Sequence, residues 1–194
     1  MRDGAGDDSF RRGKTGHRAV PLGFGLALFL GAASPPVQAE VVSGSYVGDE
    51  SAGRAITGLG FRPDVVIVKV DFDGGTDPNP PCSSLDDCSS AVIRTSTMAG
   101  ASSKPLKGNQ AYAGHLITAF GADGFTVGND LKVNALNSCP GSTSTPCTYY
   151  RVAIKASADV KVGSYSGNGT TQSVTGLGFS PEWAATIPSD TASP

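Results

Sequence analysis

Hydrophobic and polar positions alternate most clearly between Asp64 and Phe72. Val66, Val68, Val70 and Phe72 fall on one face, while the other changes from Val65 and Ile67 to Lys69 and Asp71. That pattern predicts a strand buried on both sides at its start and half exposed at its end. Thr148–Lys155 alternates again, with Tyr150, Val152 and Ile154 read as inward and Tyr149, Arg151 and Lys155 as outward. Shorter strands are predicted at Val41–Gly48, Ala55–Thr57, Ala91–Thr95 and Phe125–Val127, with a weak one at Lys132–Ala135. Ala111–Phe120 suits a strand or a short helix, and Ser96–Gly108 has no defensible period. Gly48-Asp49-Glu50-Ser51 reads as a turn, and Gly121-Ala122-Asp123-Gly124 as a hairpin connection whose Asp-Gly step tolerates positive φ. Roughly nine short strands without a useful helix predict an all-β fold, a β-sandwich or jelly roll.

Part of this pattern is written twice. Gly44-Ser45-Tyr46-Val47-Gly48 returns 119 positions on as Gly163-Ser164-Tyr165-Ser166-Gly167. Thr57-Gly58-Leu59-Gly60-Phe61-Arg62-Pro63-Asp64 returns 118 positions on as Thr175-Gly176-Leu177-Gly178-Phe179-Ser180-Pro181-Glu182. Gly58-Leu59-Gly60 is too glycine-rich for a strand interior and too close to Pro63 for a helix, so it reads as a tight corner that delivers Phe61 to the core. The organisation expected is a sandwich unit over residues 40–159 and the start of a second tandem copy over 160–194. The second copy is too short to bury a sheet face alone. Either it opens a second, truncated domain or its strands complete the first. Truncation is the better reading, because Val65-Val66-Ile67-Val68 becomes Trp183-Ala184-Ala185-Thr186 and strand character fades.

Charge and composition change the picture at the N-terminus. Arg11, Arg12, Lys14 and Arg18 precede an uncharged run from Ala19 to Ser34, and Val37-Gln38-Ala39 supplies small residues at a cleavage site. Residues 1–39 therefore read as a secretory signal peptide. The uncharged run has 16 residues, with Pro21 and three glycines, short of the roughly 20 needed to span a membrane. Gly13 and Lys14 after Arg11-Arg12 argue against a twin-arginine signal. The remainder holds 10 basic and 14 acidic residues without a basic run, which speaks against nucleic acid as a partner. Gly 26, Pro 13 and 16% charged residues describe a loop-rich exported chain, secreted or at the cell surface, the periplasm included.

Cys82, Cys88, Cys139 and Cys147 make an even count behind that signal, so two disulfides are expected, with three pairings open. The neighbours in sequence would each pin a local loop. A four-cysteine zinc site is disfavoured by gaps of five and seven residues where two to four are usual.

Candidate chemistry is sparse. Asp71, Asp73, Asp77, Asp86 and Asp87 form an acidic stretch that could chelate Ca²⁺ through hard oxygen ligands. It is not an EF-hand loop, since Thr76 and Cys82 stand where glycine and glutamate belong; a solvated loop is the default. His115 is the only histidine beyond the signal, and no Gly-x-Ser-x-Gly elbow accompanies it. Among the aromatics, Tyr112 and Tyr149 are the ones expected to be exposed and available to stack on a sugar or another ligand.

Ser-Tyr-x-Gly, Thr-Gly-Leu-Gly-Phe-x-Pro-Asp, Asp123-Gly124-Phe125-Thr126-Val127-Gly128, Val133-Asn134 and Tyr149-Tyr150-Arg151-Val152-Ala153 together resemble a β-rich domain of phage tail proteins. Similar modules occur, often in tandem, in exported bacterial proteins without an assigned activity. The resemblance covers most of 42–156 and part of 161–183, and the cysteine loops fit its exported branch. It implies a structural or adhesive role and supplies no catalytic residues. A non-enzymatic extracellular module is thus expected, with a cell-surface glycan or protein as partner; a carbohydrate-binding module of a secreted enzyme system is the alternative.

Overall fold

The computed structural model describes residues 38–71, 89–107, 110–111, 113–137, 139 and 146–188. Residues 1–37 of the signal segment, Asp73, Asp77, Asp86, Asp87, Cys82, Cys88 and Tyr112 lie outside them. Eight strands follow in order: β1 Val41–Val47, β2 Arg54–Thr57, β3 Val65–Val70, β4 Val92–Thr95, β5 Lys104–Pro105, β6 Ile117–Gly121, β7 Gly124–Val127 and β8 Thr148–Ile154. They form two antiparallel sheets of a β-sandwich, one of five strands in the order β1-β8-β3-β4-β5 and one of three in the order β2-β7-β6. There is no helix among the described residues.

β3 is central because its two faces differ as its sequence demands. Val66, Val68 and Val70 are fully buried between the sheets, and Val65, Ile67 and Lys69 are only half covered on the outer side. Each such valine contributes about 1.5–3 kcal/mol of burial before chain entropy is charged against it. Ile56 of β2, Phe125 and Val127 of β7, and Ile117 of β6 meet them from the opposite sheet.

β8 is correctly placed but its faces are reversed from the expectation. Its register sets Tyr149 opposite Tyr46 and Val70, on the inner face, and leaves Tyr150 opposite Ser45 and Lys69, on the outer one. Tyr149 is completely buried while Tyr150 is 53% exposed. Arg151 also points inward, and its guanidinium lies over Gly44, where a β-carbon would stand 3.4 Å from Nη2.

Two other expectations change. Lys132–Ala135 is no strand: Asp130 turns the chain there, its carbonyl accepting from the Val133 and Asn134 amides at 3.0 and 2.8 Å and its Oδ1 from the Lys132 amide at 2.8 Å. Ser96–Gly108 contains the two-residue β5, paired with Val92–Ile93.

The Gly58–Phe61 corner forms as read. Gly58 and Gly60 adopt φ of 85° and 80°, a region that side chains with a β-carbon avoid. Leu59 and Phe61 go to the core. The second copy forms no strand between Val160 and Pro188, and Tyr165, Val174 and Trp183 are 53%, 52% and 79% exposed.

Candidate binding face

Three polar constructions hold the sandwich together, and the first removes a sequence candidate, Tyr149, from consideration as a ligand site. The first is aromatic. Tyr46 stacks on Tyr149 at 5.3 Å between ring centroids and meets the edge of Phe125 at 6.4 Å. The Tyr46 hydroxyl donates to the Val133 carbonyl at 2.5 Å. The Tyr149 hydroxyl donates to the Leu131 carbonyl at 2.7 Å and accepts from the Ala135 amide at 2.8 Å. Burial, more than any neighbouring charge, pushes both phenols well above their ordinary range. The expectation that Tyr149 is exposed for a ligand is therefore overturned. Its ring fills the core, and its oxygen serves the backbone of the 131–135 turn.

The second surrounds Asn134, which is wholly buried. Its side-chain amide donates to Asp49 Oδ1 at 3.0 Å and to the Ser51 carbonyl at 2.9 Å, while its Oδ1 accepts from the Asp49 amide at 3.1 Å and Arg54 Nη1 at 3.0 Å. Arg54 Nε also pairs with Asp49 at 3.3 Å. The Ser51 hydroxyl and amide, with smaller help from Asn134 and Arg54, hold the Asp49 carboxyl down at about 2. Gly48 is required here because a β-carbon would come 1.8 Å from the Ala135 carbonyl oxygen.

The third is Asp123, in the β6–β7 turn. Its Oδ1 accepts from the Gly60 amide at 2.5 Å and its Oδ2 from the Gly58 amide at 3.1 Å. Those amide bonds hold its carboxyl below the usual range. The Asp-Gly dipeptide therefore does more than turn a hairpin: it clamps the glycine corner that follows β2, the strand paired with β7.

The remaining candidates are quickly placed. His115 Nε2 lies 3.1 Å from Asp130 Oδ2 at the surface, its side chain 63% exposed, and no hydroxyl is hydrogen-bonded to it among the described residues. Of the acidic stretch only Asp71 is described, its amide donating to the Thr148 carbonyl at 2.7 Å. Cys139 and Cys147 form a buried disulfide, one of the two local pairs considered. Arg94 of β4 is buried, its guanidinium donating to the Ser102 and Gly100 carbonyls and lying 5.5 Å from the Phe120 ring centroid. Burial first, and Arg62 second, lower its pKa.

What stays unexplained by packing is the outer face of β1 and β8. Ser45 and Lys69 flank Tyr150, Ser43 and Ile67 flank Val152, and Val41 and Val65 flank Ile154. Val41, Val47, Tyr150 and Val152 are 58%, 43%, 53% and 37% exposed. β1 is also the edge of the five-stranded sheet and carries no charge and no proline over seven residues. Soluble proteins usually blunt such an edge with lysine, proline or a short strand. The opposite edge, β5, has those features: two residues, one of them Pro105. Sequence reasoning missed this face because it placed Tyr150 and Val152 inside.

Among the described residues no helix is long and apolar enough to cross a membrane, and the disulfide is compatible with an extracellular setting. No family model, curated protein or solved structure matches the chain.

Proposed function

We propose that this protein is a non-enzymatic extracellular module, secreted or held at the cell surface, that works in adhesion or assembly through the outer face of β1 and β8. The carrying observation is the exposed quartet Val41, Val47, Tyr150 and Val152 beside an uncharged open edge. An extended segment of a partner protein could add to β1 through main-chain hydrogen bonds while the quartet covers its side chains. The resemblance of the repeated motifs to tail-protein modules supports the same role.

A second reading rests on Tyr150 alone. An exposed tyrosine between Ser45 and Lys69 has the composition of a sugar platform, with a ring to stack and polar neighbours to orient hydroxyls. Binding to arrayed glycans and to immobilised surface proteins separates the two. Val47→Lys should weaken protein capture at least tenfold and spare glycans, whereas Tyr150→Ala should weaken whichever ligand is bound. Retention of full binding by both variants would remove this face from consideration. Turnover of an ester, peptide or glycoside that disappears in His115→Ala would overturn the non-enzymatic reading.

A further inference from the structure

The second copy of the motif has kept more than its letters. Asn168 and Thr170 stand where Asp49 and Ser51 stand, 119 positions on, and make the same turn: Asn168 Oδ1 accepts from the Thr170 amide and hydroxyl at 3.0 Å each, as Asp49 Oδ1 does from the Ser51 amide at 2.9 Å and hydroxyl at 2.5 Å. Gly169 has φ 74° where Glu50 has 60°. Gly176 and Gly178 have φ 82° and 83° where Gly58 and Gly60 have 85° and 80°. The backbone of the first copy's turn and corner is thus reproduced in a segment that forms no strand.

It has also kept residues whose reason lies outside the segment. Gly48 is needed because the Ala135 carbonyl abuts it, and the Arg151 guanidinium lies against Gly44, 3.4 Å from where a β-carbon would stand. Gly167 and Gly163 occupy the equivalent places with nothing within 4 Å of their would-be β-carbons. Tyr165 repeats Tyr46, whose ring and hydroxyl are used by Tyr149 and Val133, yet Tyr165 is half exposed. Most of what the Tyr149–Asp123–Ala135 surface recognises in residues 41–61 is present again in 160–179; the exceptions are Val42, replaced by Lys161, Asp49 by Asn168, Arg54 by Gln172 and Ile56 by Val174.

Chain connectivity makes that surface reachable. β1 lies antiparallel to β8 with Val41 opposite Ile154, and the Lys155 amide donates to the Glu40 carbonyl at 2.9 Å. The start of β1 therefore sits beside the end of β8. In the same register Val160 would face Ile154, Gly163 would face Arg151, Tyr165 would face Tyr149, and Asp159 would take the place of Glu40. Only Ala156-Ser157-Ala158 would then remain as the loop, a common hairpin length. The chain already turns there, the Ser157 amide donating to the Val160 carbonyl at 3.0 Å.

We infer that the surface formed by β8, β7, Asp123 and the 131–135 turn is a binding site with two mutually exclusive occupants in one chain: residues 41–61, seated in this structure, and residues 160–179, which can replace them by folding back from β8 as a hairpin. Occupancy by the second segment releases the first, together with the exposed β1 edge. Lys161 in place of Val42 and the loss of Arg54 bias the site toward the first occupant. Gly169, free of the strain that Glu50 bears at positive φ, acts in the other direction.

The test uses the 194-residue chain and two tyrosines that do not touch. Tyr165→Ala alone should leave the denaturation midpoint unchanged, since that side chain is half exposed. Tyr46→Ala should move hydrogen-exchange protection from 41–47 to 160–166, and Tyr165→Ala added to it should abolish that protection and lower the midpoint further. If Tyr165→Ala is silent in both backgrounds, the inference is wrong. Should Tyr46→Ala not fold, cysteine capture decides: Ser164→Cys with Tyr150→Cys should cross-link slowly within one chain, and Ser45→Cys with Tyr150→Cys should do so at once. Failure of the first pair to link over days, or linkage only between chains, overturns it.

Discussion

Replacing Tyr149 by phenylalanine isolates one oxygen in the middle of the sandwich. The ring keeps its place against Tyr46, so packing is conserved and only the hydroxyl is lost. That hydroxyl donates to Leu131 and accepts from Ala135, whose residue is 1% exposed. A typical hydrogen bond contributes about 1 kcal/mol net, but a buried donor left without an acceptor costs about 1–3 kcal/mol. The expected loss for Tyr149→Phe is therefore about 2–3 kcal/mol. With a urea slope of about 1–3 kcal/mol per molar for a small domain, the midpoint should fall by about 0.7–3 M while the slope stays constant. Tyr150→Phe is the control: it removes the same oxygen from an exposed ring and should stay within about 0.5 kcal/mol. A Tyr149→Phe variant as stable as wild type, or a Tyr150→Phe variant equally damaged, would refute the assignment of these two faces and with it the proposed binding surface.

Gly48→Ala forces a β-carbon to within 1.8 Å of a backbone carbonyl that cannot rotate away, and its cost should exceed about 3 kcal/mol in chemical denaturation. The double variant Cys139→Ser with Cys147→Ser opens a short loop; chain entropy puts the loss at about 2.5 kcal/mol, and a midpoint unchanged from the oxidised protein would contradict it. Asp49 and Asp123 both have folded-state pKa values below their unfolded ones. Their contribution is then present above the unfolded value of about 4 and is lost as pH falls below it, for Asp49 through about 2. Melting temperature should drop across that window, and less steeply in Asp123→Ala; an identical slope would show that the carboxylate does not hold the glycine corner.

Much of the architecture was legible because its causes are local. Val66, Val68 and Val70 could face only one way once Lys69 and Asp71 marked the other side, and Pro63 set where β3 begins. The Gly58–Gly60 corner was legible from glycines that positive φ requires. The phase of β8 was not. Tyr149 and Tyr150 are identical, and Arg151 disguises its inward course, because alternation gives a period and no sign. The sign comes from a partner more than 100 positions away, Tyr46, which β1 sets opposite Tyr149 and stacks on its ring. Lys132–Ala135 misled for a related reason: Val133 and Ala135 alternate as in a strand, yet the backbone is already committed to Asp130. Asp123 looked like a turn residue, and its carboxylate has a second use that only the fold brings within reach.

The same division between local and distant causes explains why the repeated stretch forms in one place and not in the other. Turn and corner depend on glycine stereochemistry and a side chain reaching two residues ahead, and both appear in 168–178 without any partner. Strand pairing depends on β8, β7 and Asp123, which are occupied by the first copy. A glycine-rich motif placed twice on a chain invites reading as a ligand-binding signature. Here its invariants answer to Ala135, Tyr149 and Asp123, all of them parts of this same sandwich. The motif is complementary to its own fold, and the face proposed to bind lies on the other side of the sheet, where β1 and β8 turn Val41, Val47, Tyr150 and Val152 toward solvent.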